Sequence, residues 1–144
     1  MIDVLEQKIN NNISLELVKY IYSRFPEIRD NMSFTDTFKF IDMFPDRIIV
    51  ESENNVIKGF AMFVKLTDDS LIDVMNNGIN YYQDLKKLMS EDGEHIHFIG
   101  VVADGFKFIR KGIQNIRGIY NPMTISWKYD LGDKDRNFIM VLRE

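Results

Sequence analysis

HIHFIGVVADGFKFIRKGIQNIR, residues His95 to Arg117, is the stretch on which the fold turns. Ile96 to Val102 is a mostly apolar run that stops at Ala103-Asp104-Gly105. From there the period changes: Phe106, Ile109, Ile113 and Ile116 recur at helical spacing. Between them Lys107, Arg110, Lys111 and Arg117 supply cations and no acid. The pattern predicts a buried strand, a tight turn with glycine at its tip, and an amphipathic helix with a basic polar face. A helix N-terminus carries unpaired backbone N–H groups and partial positive charge, so strand, glycine and helix in that order can hold a phosphate. A solvated basic face is the competing explanation of the cations.

Working outward, Arg47 to Ser52 predicts a strand with Ile48 and Val50 on one face and Ile49 on the other. Glu53-Asn54-Asn55 is turn chemistry, since Asn tolerates left-handed backbone. Val56 to Leu66 predicts the second arm of a hairpin. Its apolar residues fall on both faces: Val56, Phe60, Met62, Val64 and Leu66 on one, Ile57, Ala61 and Phe63 on the other. A strand apolar on both faces is covered above and below.

Upstream, Ser14 to Phe25 predicts a helix with Leu15, Val18, Ile21, Tyr22 and Phe25 inward, closed by Pro26. Glu27 to Ser33 predicts a loop, and Thr35 caps a short second helix. Ser70 caps a helical segment from Leu71 to Met89, which Asn76-Asn77-Gly78 weakens or divides. Gly118 is expected to end the helix that follows Gly105. Thr124 to Tyr129 alternates, with Ile125 and Trp127 against Thr124, Ser126 and Lys128. A polar turn, Asp130 to Arg136, leads to a last strand near Asn137 to Leu142. The expected order is helix, helix, strand, strand, helix, strand, helix, strand, strand. It predicts an α/β (α+β) domain of three αβα layers, a mixed and mostly antiparallel sheet with helices on both faces.

Bulk properties narrow the function. At 144 residues the chain is expected to form one domain, with no repeat or linker. Its hydrophobic content of 45% and charged content of 28% exclude intrinsic disorder. The net charge of −4 disfavours nucleic acid, which selects basic domains. Acids gather at Asp68, Asp69, Asp73, Asp84, Glu91, Asp92 and Glu94, away from the basic helix. With no cysteine, no apparent leader and no apolar run long enough to span a bilayer, a cytoplasmic setting is expected and a membrane is not. His95 and His97 share a strand face, but without a Cys or a third ligand a metal site is not expected. There is no Gly-x-Ser-x-Gly elbow, phosphate loop ending in Gly-Lys-Ser/Thr, or calcium loop.

In element order the chain resembles the GNAT superfamily of N-acetyltransferases. Asn54-Asn55-Val56-Ile57-Lys58-Gly59-Phe60-Ala61-Met62-Phe63-Val64 looks like that family's central hairpin, and Ile96 to Ile116 takes the place of its cofactor-binding strand, turn and helix. A degenerate phage or prophage type of member fits best. The family turn reads Arg/Gln-x-x-Gly-x-Gly/Ala; here Ala103-Asp104-Gly105-Phe106-Lys107 keeps one glycine, and the helix after the fifth strand that often bears a tyrosine acid has no counterpart.

The resemblance implies acyl transfer from acetyl-CoA to a primary amine. Backbone from Ile99 through Val101 and Val102 would meet the pantetheine arm, and Gly100 suits a bulge there. The N–H groups of Gly105, Phe106 and Lys107, with the charges of Lys107, Arg110 and Lys111, would take the pyrophosphate. His97 is the candidate base and Tyr129 the candidate acid, against plain structural roles for each. A homodimer is compatible with this scheme, and a non-catalytic interaction or regulatory protein on the same scaffold is the alternative.

Overall fold

A computed structural model describes residues 2–4, 11–54, 56–79, 84–103, 106–130 and 135–143, without the side chains of 2–4, 11–14, 26, 27, 31, 53, 101–109 and 128–137. Among these described residues six strands form one sheet: β1 (Ile2–Val4), β2 (Ile48–Glu53), β3 (Val56–Leu66), β4 (His95–Ala103), β5 (Thr124–Asp130) and β6 (Asp135–Val141), adjacent in that order. Every neighbouring pair is antiparallel except β4 and β5, which run parallel. The described helices are α1 (Asn11–Arg24), α2 (Pro26–Asn31), α3 (Phe34–Met43), α4 (Asp68–Asn77), α5 (Leu85–Met89) and α6 (Phe106–Tyr120). The three-layer arrangement with a mixed, mostly antiparallel sheet is the one the sequence predicts. No helix among the described residues is long and apolar enough to cross a membrane.

Strand alternation divides the core in two. Ile48, Val50, Phe60, Met62, Val64 and Leu66 face a layer built by α1 to α5, where Leu17, Ile21, Ile28, Ile41, Leu85 and Met89 are buried. Ile49, Ala61, Phe63, Ile96, Phe98 and Ile125 face Ile116 of α6. Full burial of a side chain such as Phe60 or Phe63 contributes about 1.5–3 kcal/mol, so β3, buried on both faces, anchors the sheet.

Several expectations are corrected. β1 was not foreseen; it extends the sheet beside β2, with Asp3 opposite Val50. Leu17 lines the inside of α1, whereas Leu15 is exposed. Pro26 opens α2 rather than ending the helical region, because its fixed φ and missing N–H suit a first helical turn. Ser33, not Thr35, caps α3, accepting from Asp36 N at 3.0 Å. Thr67, not Ser70, caps α4, which ends at Gly78 with φ 75°. Ile57 packs with the face that holds Phe60, since a bulge opposite Glu51 and Ser52 adds a residue at Lys58 and reverses the alternation. Helix α6 runs past Gly118 to Tyr120, and Asn121 with φ 45° takes the left-handed position beyond it.

A second bulge matters more. Met62 pairs with Gly100 and Phe63 with Phe98, which leaves Ile99 as the extra residue of β4. Ile99 and Gly100 therefore both turn toward α1 to α5: Ile99 is buried in that layer, and a Cβ on Gly100 would lie 2.5 Å from Phe25 Cζ. Glycine is required here by the close approach of the Phe25 ring at the α1–α2 corner. Gly100→Ala should therefore cost about 1–3 kcal/mol in a denaturant melt, the usual range for overpacking, and clearly less when Phe25 is Leu. A neutral Gly100→Ala would show that Phe25 does not close the bulge.

Candidate functional site

The parallel joint between β4 and β5 holds three registered pairs, His95↔Thr124, Ile96↔Ile125 and His97↔Ser126. Past His97, β4 stays registered with β3 up to Ala103, and β5 stays registered with β6 up to Asp130. The two halves of the sheet thus part company where the Ile99–Gly100 bulge sits. Bulges bend a strand and re-aim its groups, and they recur beside active sites. About 20 Å of β4, from Phe98 to Ala103, follows the last rung at the usual rise per residue.

The other end of the joint is braced. Met123 N donates to Glu94 O at 2.8 Å, Leu142 N donates to Met123 O at 2.9 Å, and Arg143 pairs with Glu94 at 2.8 Å. The result is a V, tied at its closed end and opening toward the start of α6.

Two side-chain rungs cross the joint on the face that carries α1 to α5. His95 Nδ1 lies 2.9 Å from Thr124 Oγ1, and His97 Nδ1 lies 2.9 Å from Ser126 Oγ. Their surroundings then differ. His95 Nε2 meets Asp68 at the start of α4, so both ring nitrogens are engaged and the ring is structural. His97 Nε2 has no partner among the described residues. His97 as a whole is buried. Burial pushes the His97 imidazole down to about 4, which keeps it neutral near pH 7.

His97, Ile99, Val101 and Val102 lie along one strand, and Phe106 and Lys107 open the helix that follows it. Val101 and Val102 pair with Ala61 and Phe60 of β3. Arg110 and Lys111 are exposed on α6. Asp104 and Gly105 lie outside the described residues. Tyr129 pairs with Arg136 in β5, three positions beyond Ser126 and past the last rung with His97. The ladder does not bring Tyr129 and His97 together. Among the described residues no cluster of three His, Cys, Asp or Glu could hold a metal.

Sequence reasoning missed Thr124, Ser126 and Asp68 as partners of the histidines. A trace exists in hindsight: His-x-His and Thr-x-Ser share a spacing of two, so parallel strands in register must match them rung for rung.

No family model matches the chain, and no curated protein does. Solved structures do. The chain is similar to GphF, a GNAT-like decarboxylase in complex with isobutyryl-CoA, with TM-score 0.63 and 13% identity over 92% of this chain and 67% of that one. It is also similar to a GNAT family acetyltransferase from Brucella melitensis in complex with acetyl-CoA, with TM-score 0.56 and 14% identity over 100% of this chain and 88% of that one. At such identities the likeness is one of architecture: the chain has a GNAT-like fold.

Proposed function

We propose that the chain is an acyl-CoA-dependent N-acyltransferase whose cleft is the V between β4 and β5. The observation that carries this is the end of the β4–β5 ladder at His97↔Ser126, directly before the Ile99–Gly100 bulge. The acyl-CoA complexes of the two similar structures support it. The acyl-pantetheine would lie along Ile99, Val101 and Val102. The backbone N–H groups of Gly105, Phe106 and Lys107 would take the pyrophosphate, with Arg110 and Lys111 adding charge. A backbone N–H at the bulge would polarise the thioester carbonyl. The amine nitrogen attacks the carbonyl carbon, the C–S bond breaks and CoA leaves as the thiolate, while the amine proton passes to His97 Nε2, or through a water, and on to the sulfur to give the thiol. His97 enters that step as the free base. Its low basicity leaves most of the rate to positioning.

A non-catalytic protein on the same scaffold is favoured by two features. The strand-to-helix turn has a single glycine, and four residues, 131–134, join β5 to β6 where an acid-bearing helix would fit.

A thermal-shift titration separates the two. Acetyl-CoA at about 100 times its Kd should stabilise the protein by about 2.7 kcal/mol, and Gly105→Glu should remove the effect. Release of CoA should then depend on an added primary amine. No shift at millimolar acetyl-CoA with a cooperative melt would favour the non-catalytic protein. CoA-bound product formed from a carboxylated acyl-CoA without amine would favour decarboxylation instead.

His97 also makes stability depend on pH. Its folded pKa of about 4 lies below the ordinary 6.5, so between these values the unfolded chain binds a proton that the folded chain does not. Stability is full above pH 6.5 and falls as pH drops toward 4, by about 3 kcal/mol in all. Denaturant melts at pH 7 and pH 4.5 should show this loss in the wild type and a smaller one in His97→Gln. Equal losses in both would remove His97 as the cause.

A further inference from the structure

Ser126 is wholly buried, and the acyl-transfer step gives it no task. Its Oγ lies 2.9 Å from His97 Nδ1 and 3.5 Å from the carbonyl oxygen of Ile96. A hydroxyl has one proton to give. If it goes to Ile96 O, then Nδ1–H donates to Oγ and the imidazole lone pair is left on Nε2. If it goes to Nδ1, then Nε2 carries the hydrogen and Ile96 O loses its hydroxyl donor. The first arrangement turns both contacts into hydrogen bonds, and the second makes one. In a buried site the chain with more contacts satisfied is favoured, and its members polarise one another.

We propose that Ser126 is a positioning residue that holds His97 as the Nδ1–H tautomer and so leaves the imidazole lone pair on Nε2, at the last rung before β4 and β5 part. Its catalytic consequence rests on the acyl-transfer function proposed above; the tautomer does not. The adjacent rung shows the contrast. His95 is held from both sides by Thr124 and Asp68, which leaves it no nitrogen to offer. Of the two imidazoles, His97 is the one that keeps a ring nitrogen without a partner among the described residues.

The chain has two histidines, so long-range ¹H–¹⁵N spectra of the ring nitrogens resolve both, with His97→Gln giving the assignment. At pH 7 His97 should show a protonated Nδ1 and an unprotonated Nε2. Ser126→Ala should shift the pattern toward Nε2–H. The near-isosteric pair Ser126→Thr and Ser126→Val isolates the hydroxyl should the Ala variant fold poorly: Thr keeps the wild-type pattern and Val loses it. In turnover, Ser126→Val should lower kcat about tenfold or more, within the ~10²–10⁴ a positioned base supplies, with KM for acyl-CoA unchanged and Thr restoring the rate. An Nε2–H tautomer in the wild type, or a pattern indifferent to both Val and Ala, overturns the assignment. The expected tautomers without any acyl transfer support the hold of Ser126 on His97 and count against the acyltransferase function alone.

Discussion

Everything that bears on a site here depends on how three rungs of parallel ladder hold two half-sheets together. On one side β1 to β4 form an antiparallel block centred on the doubly buried β3; on the other stands the β5–β6 hairpin. A parallel pair is slightly less stable per residue than an antiparallel one, and this one is short. The molecule compensates with side chains. His95–Thr124 and His97–Ser126 repeat the backbone rungs on one face, Asp68 adds a tie from α4, and the Glu94, Met123, Leu142 and Arg143 contacts lock the closed end. The opening of the V is set by where those braces stop.

The two sheet faces carry unequal cover. Among the described residues, helices α1 to α5 sit over one and α6 over the other. The histidine rungs lie on the crowded face, which is why His97 is desolvated. α6, on the opposite face, keeps Arg110, Lys111 and Arg117 in water. Burial for the imidazole and hydration for the cations follow from one packing decision, the side of the sheet to which each helix returns.

How much was legible in the sequence follows from which forces are local. The β4-to-α6 transition was readable because the apolar period changes at one place, and the β2–β3 hairpin because Asn54, with φ 52°, marks its turn. β1 was not, since the three residues Ile2-Asp3-Val4 offer no period to detect. Proline both stops and starts helices, so Pro26 by itself does not tell which it does. The side assigned to Ile57 failed at Lys58, where a bulge breaks strict alternation. For the proposed site, His97 and the backbone from Ile99 to Val102 are expectations that rest on residue type and resemblance. The partners Ser126 and Thr124 could not be named, because register between parallel strands joined through a whole helix is fixed by tertiary packing and leaves no local mark.

The Phe25 ring against Gly100 has a mechanical meaning. It joins the corner between the first two helices directly to the one irregular point of β4, so the sheet is not indifferent to how the helical layer is seated. A shift of that corner by a fraction of an ångström has no soft side chain at position 100 to absorb it and passes into the strand itself. Sequence drift in α1 and α2, far along the chain from the cleft, is thereby geared to the shape of its wall.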